Sequence, residues 1–379
     1  MERTEEPNAC NSGEGIVFFT TGLLVKFTSV DEVAFVISHE IAHDVLNHLR
    51  KEMVQTCEAE NNSAFKKKLK KTSTIAYGRN TEYEHLWTAL FYKEMEDSRR
   101  NELQADSLGF IFYKNSGYNI QAATETMSAL DAADYDLYPD TLDLKRFFNF
   151  KDYPFKSYWM KQDRPKPLWN RDSLLFKIPD SLKTHPDCQV RLSAIKKYSA
   201  SFSGNVNYKS PPKLVYSEKQ KQLFLFENID ALMQNKDFAK ALYNSLHMLN
   251  AYPNNRYLNC IVVDCLYELA DALVHQKYSH YVDFPGQDYS NGYNQMLTFL
   301  QNMNSATLKK LGTNYYFQYL SIYSASDPYA AFLKIILDNT DTKSNDISRQ
   351  IAQFEKDFNE PYFTAILKNK FGSTKKKVQ

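Results

Sequence analysis

The chain of 379 residues has no apolar run approaching the ~20 residues that a helix needs to cross a bilayer. It is therefore expected to be soluble, cytoplasmic as it stands and exported if a signal segment precedes Met1. Its net charge is only +1, which removes electrostatic attraction as a basis for binding nucleic acid. The five cysteines, Cys10, Cys57, Cys188, Cys260 and Cys265, are odd in number and include no CxxC pair. They make no disulfide framework and read as mostly buried thiols. Neither a glycine-rich phosphate loop nor a GxSxG element is present, so neither a nucleotide cradle nor a serine-hydrolase elbow is expected. The lysine-rich stretches at 66–71 and 375–377 read as solvated surface rather than as membrane-binding patches.

What is present is a metal-site signature. His39-Glu40-Ile41-Ala42-His43 places two histidines four residues apart, which on an α-helix puts them one turn apart and only ~40° from each other around the axis. Both imidazoles can reach one metal, and Glu40 is placed to hold the attacking water. Ser29 and Glu32 form a capping-box pattern that starts the helix, and apolar residues continue it without Pro or Gly, giving an expected helix over 30–51.

An open zinc site takes three protein ligands. The metzincin spacing fails, because Leu46 and Leu49 stand where Gly and His are needed. His48 does not substitute: five residues on a helix rotate it ~140° away from His43. Glu102, in Asn101-Glu102-Leu103-Gln104-Ala105-Asp106, is the better third ligand. Asp106 shares its helix face and can accept the second ring N–H of a ligand histidine, while Ala105 and Gly109 leave room for another helix to pack closely. Glu58, Glu60, Glu94 and Glu96 are rivals, but they lie in charged surroundings and lack the small-residue face.

These motifs together resemble zinc metallopeptidase family forty-eight, which includes the HtpX heat-shock peptidase, the CAAX prenyl peptidase and BepA. The resemblance rests on Asn8-Ala9, the stretch from Gly15 to Leu24, the HEIAH run, Glu102 through Asp106, and Thr184-His185-Pro186 with Arg191, and it spans roughly the first 200 residues. It implies a gluzincin site with one zinc per chain on His39, His43 and Glu102, and Glu40 as general base. It also implies that His185 and Arg191 face the cleft and help hold the tetrahedral intermediate, and that the strand at 15–21 lines the cleft for an extended substrate. Independently, Thr184-His185-Pro186-Asp187 reads as a helix start, in which His185 could equally be a capping or surface residue.

The length suggests two domains. The expected organisation is a peptidase domain over 1–200, a linker over 201–218 containing Gly204 and Pro211-Pro212, and a helical domain over 219–379. In the last, Phe238, Ala241, Leu249 and Pro253 resemble one tetratricopeptide unit, although the segments that follow do not repeat it cleanly. Residues 131–182 carry Pro139, Pro154, Pro165, Pro167 and Pro179 and read as irregular, either folded over the cleft or packed as a surface loop. The expected fold is mainly α with a small sheet. The expected function is zinc-dependent hydrolysis of peptide bonds in protein or peptide substrates. The alternative is a protein-binding or assembly factor that works through a partner on the C-terminal helices.

Overall fold

A computed structural model describes residues 3, 4, 6–73, 79–132, 136–161, 188–203, 211–286, 289–339 and 346–371. The chain is mainly helical with one small sheet, and it divides into two compact units. The first contains 1–134 and 166–231; the second contains 135–165 and 232–379.

In the first unit, strands β1 (Ala9–Asn11) and β2 (Val17–Phe19) form an antiparallel pair with Cys10 opposite Phe18. The strand expected over 15–21 is thus three residues long, because Thr20 already caps the short helix α1 (Thr21–Lys26) by accepting from the Leu23 amide. Six helices follow: α2 (Val30–Val45), α3 (His48–Asn61), α4 (Ser63–Ser73), α5 (Arg79–Asn115), α6 (Gln121–Asp131) and, in the second unit, the short α7 (Leu144–Phe148). The first unit resumes with α8 (Cys188–Ser203) and α9 (Glu218–Gln234), and the boundary between the units falls near the end of α9.

The core of the first unit explains why its helices converge. Ala34 and Phe35 of α2, Phe110 and Tyr113 of α5, Ala123 and Met127 of α6, and Leu192 and Ile195 of α8 form one buried cluster. Complete burial of a large apolar side chain stabilises by roughly 1.5–3 kcal/mol, so this cluster dominates the docking of the four helices. Residues 211–217, expected to be a linker, are ordered against the start of α2. The Val30 amide donates to Leu214 O at 2.9 Å, and the Tyr216 amide donates to Thr28 O at 2.9 Å.

The second unit contains α10 (Phe238–Ala251), α11 (Arg256–Val274), α12 (Asn291–Gln301), α13 (Ser305–Tyr319), α14 (Pro328–Asn339), α15 (Ile347–Phe358) and α16 (Pro361–Phe371). Phe238, Ala241 and Leu249 are buried on α10, which packs against α11. The aromatic-rich segment at 136–161 belongs here too. Phe148 stacks on Phe299, and the fully buried Trp159 meets Phe155 and Phe299 edge-on. On α11, Asp264 accepts from the Tyr329 hydroxyl at 2.5 Å. Cys260 and Cys265 are buried as expected, but Cys10 and Cys57 are exposed.

Candidate metal centre

Helix α2 carries His39, Glu40 and His43, and its start is fixed from several directions. Ser29 Oγ accepts from the Glu32 amide, while Glu32 Oε2 accepts from the Ser29 and Thr28 amides at 2.7 and 2.6 Å. This is the capping box read from the sequence, and such caps are worth about 1 kcal/mol. The neighbouring Asp31 is buried and accepts from the Asn119 amide at 2.9 Å and from the Leu214 amide. The first turn of α2 is thereby tied to two distant segments, and Phe35 and Ala42 pin the helix to the core.

Helix α5 brings Glu102 and Asp106 against α2. Ala105 is completely buried, and a Cβ on Gly109 would lie 2.9 Å from His39 Cα. Only glycine permits this approach without displacement. The two helices therefore meet at the turn that carries the first histidine.

Glu102 is buried, and its Oε2 lies 3.4 Å from His39 Nε2 while its Oε1 lies 3.4 Å from His43 Nε2. The two Nε2 atoms are 3.0 Å apart. Metal–ligand bonds of 2.0–2.2 Å in tetrahedral zinc sites imply ligand–ligand edges of about 3.3 Å, so His39, His43 and Glu102 fit such an ion. The charge balance fits as well. Glu40, Glu102 and Asp106 stand against one guanidinium, that of Arg191, and leave the cluster short of positive charge. The same surplus acts on His39. Burial alone would lower its pKa, but Asp106 and Glu102 carry it up to about 9. Among the described residues, this trio is the group of His, Cys, Asp and Glu side chains able to hold a metal.

Asp106, completely buried, lies behind the trio. Its Oδ1 is 3.0 Å from His39 Nδ1, the arrangement that fixes a histidine tautomer with Nε2 free to ligate. Burial opposes ionisation of Asp106, yet Arg191 and His39 outweigh it and hold the carboxyl below its usual range.

Arg191 departs from the expectation that it faces the cleft. It is buried, donates from Nε and Nη2 to Asp106 at 2.8 and 2.7 Å, and sets Nη1 3.1 Å from Glu102 Oε2. The bidentate match of guanidinium and carboxylate explains its position: the fork is held by Asp106 and Glu102 behind the ligands. His185 lies outside the described residues. Of the rival glutamates, Glu58 is exposed on α3.

Glu40 is buried beside the trio, and burial raises its pKa above the ordinary carboxylate value. Asn11 of β1 donates from Nδ2 to the Glu40 carbonyl at 2.8 Å, linking the sheet to this turn of α2.

His48 stands outside the trio, as expected, but not for the reason of helix rotation. The helix expected over 30–51 stops at Val45, Asn47 adopts φ 55°, and α3 begins at His48. Asn tolerates the left-handed region better than most residues, and that was the available signal for the break. The turn swings His48 back, so its Nδ1 lies 3.0 Å from His43 Nδ1 and its Nε2 lies 3.3 Å from Gln104 Oε1.

No helix among the described residues is long and apolar enough to cross a membrane. A comparison with curated proteins finds no match. The sequence profile described as peptidase family M48 matches residues 1–199, which run from β1 into α8 and include every residue of the cluster just described. The chain belongs to peptidase family M48, a family of metal-dependent peptidases.

Proposed function

We infer that the chain is a zinc-dependent endopeptidase of gluzincin type, acting on protein or peptide substrates with one zinc per chain. The observation that carries this reading is the spacing of His39, His43 and Glu102 at tetrahedral edges, with the buried carboxylate of Glu40 beside them and outside the trio. A metal held only for structure would have no use for such a base.

Zinc in this position would supply Lewis acidity to the scissile carbonyl and to the attacking water. Glu40 takes the proton of that water and delivers it to the leaving amine. Its burial moves its pKa toward the range in which one group can do both near neutrality. Asp106 keeps the proton of His39 on Nδ1. Arg191 holds Glu102 and Asp106 in place from behind. His185 is the candidate to stabilise the oxyanion, a role carried over from the family resemblance. The two-stranded sheet, joined to the Glu40 turn through Asn11, offers an edge on which an extended peptide could pair.

The test is Glu40→Gln. This variant should retain zinc and its thermal midpoint while hydrolysis of an unfolded casein-type substrate falls by about 10²–10⁴. Hydrolysis at the wild-type rate would refute the mechanism.

A further inference from the structure

We propose that His48 is a positioning residue for the metal, fixing the tautomer and rotation of His43 through an imidazole-to-imidazole hydrogen bond that Gln104 completes. The proposal rests on the reading of His39, His43 and Glu102 as ligands.

The two Nδ1 atoms at 3.0 Å require one donor and one acceptor. For His43 to offer a lone pair at Nε2, its proton must sit on Nδ1 and be donated to His48 Nδ1. His48 is then protonated on Nε2, which points at the acceptor Oε1 of Gln104 at 3.3 Å. Gln104, His48 and His43 thus form a relay with one consistent direction, and it ends in a lone pair aimed at Glu102 and His39. The reverse assignment puts a proton on His43 Nε2, against His39 Nε2 at 3.0 Å, and requires the Gln104 amide to turn over. His48 is only 3% exposed, so water has little access to replace its nitrogen. The rings meet edge-on, with centroids 4.9 Å apart and planes at 79°.

The two ligand histidines are therefore held by different chemistry. His39 is backed by a carboxylate, and His43 by a neutral ring delivered from the next helix. The delivery depends on the turn at Asn47, since a continuous helix would carry residue 48 around to another face.

Zinc affinity of the full-length chain, measured by competition with a chromophoric chelator, tests this in His48→Ala, His48→Asn and His48→Gln. Asn places an amide oxygen near the position of Nδ1, whereas Gln places one near Nε2. Loss of such an outer partner typically weakens metal binding by about 10–100-fold, and that loss is expected in His48→Ala and His48→Gln. His48→Asn should bind zinc like the wild type. A packing role would instead let Gln do as well as Asn. Wild-type affinity in His48→Ala, or any result in which Asn does not outperform Gln, overturns the proposal. If His48→Ala does not fold, the contrast between Asn and Gln decides. A wild-type chain that binds no zinc would sink the metal reading and this proposal together, whereas zinc binding that is insensitive to position 48 sinks only the role of His48.

Discussion

Gly109 and His39 touch backbone to backbone across α2 and α5: a methyl group on Gly109 would sit 2.9 Å from His39 Cα and 3.0 Å from its amide nitrogen. Glu102 lies two turns before Gly109 on the same helix. The separation of the helices at this contact therefore sets how far the Glu102 carboxylate stands from both imidazoles.

Gly109→Val should push α5 away from α2. Forcing extra carbons into a packed contact costs typically 1–3 kcal/mol, so the thermal midpoint should fall. Zinc affinity should fall with it, although no ligand has changed. A folded Gly109→Val chain with wild-type affinity, measured by chelator competition, would show that this contact does not govern ligand geometry.

Glu102→Ala and His43→Ala should each abolish tight zinc binding, because an open site needs all three protein ligands. Metal content after dialysis against chelator-buffered zinc measures this. Full occupancy in Glu102→Ala would place the third ligand elsewhere.

Arg191→Met separates two roles. If Arg191 serves Asp106 and Glu102, as its contacts indicate, its loss removes the guanidinium from two buried carboxylates. Breaking such a pair costs about 3–5 kcal/mol. Urea unfolding of the chelator-treated protein should then show marked destabilisation. If Arg191 instead acted on the oxyanion alone, stability would be unchanged and only kcat would drop.

Asp264 provides a pH test in the second unit. Burial pushes its carboxyl up to about 7, against 3.8 for an ordinary aspartate. Between those values the unfolded chain has released the proton and the folded chain still holds it, so this group lowers stability as the pH rises through the window. Asp264→Asn should match the wild type at about pH 3 and below, where both states are protonated, and exceed it above pH 7. The difference is at most ~4 kcal/mol, reduced by the partial exposure of the group. Parallel stability curves across that range would contradict the assignment.

The motif, the capping box and the small face of α5 were legible because each is local and periodic. Ser29 and Glu32, His39 and His43, and Ala105 and Gly109 all fall at spacings fixed by helix geometry. The parts that were not legible depend on breaks or long-range partners. The turn at Asn47 rests on one residue in a left-handed conformation, which a scan for Pro and Gly passes over. The position of Arg191 depends on Asp106, 85 residues away. Residues 211–217 looked like a linker from composition, yet Asp31 and the backbone of 28–30 supply partners for them that composition does not record.

Asp106 and Arg191 clamp α5 to α8, and Asp106 steadies His39, through Oδ1, Oδ2, Nε, Nη2 and Nδ1, none of which is an atom expected to bind the metal. The frame around the ligands is thus closed by a crosslink independent of any ion. A chain built this way would take up a metal ion as an exchange into a finished receptacle, unlike the small zinc domains in which binding is folding. Stripping by a chelator should therefore leave a native chain that recovers activity on the timescale of metal diffusion, with no slow refolding phase between.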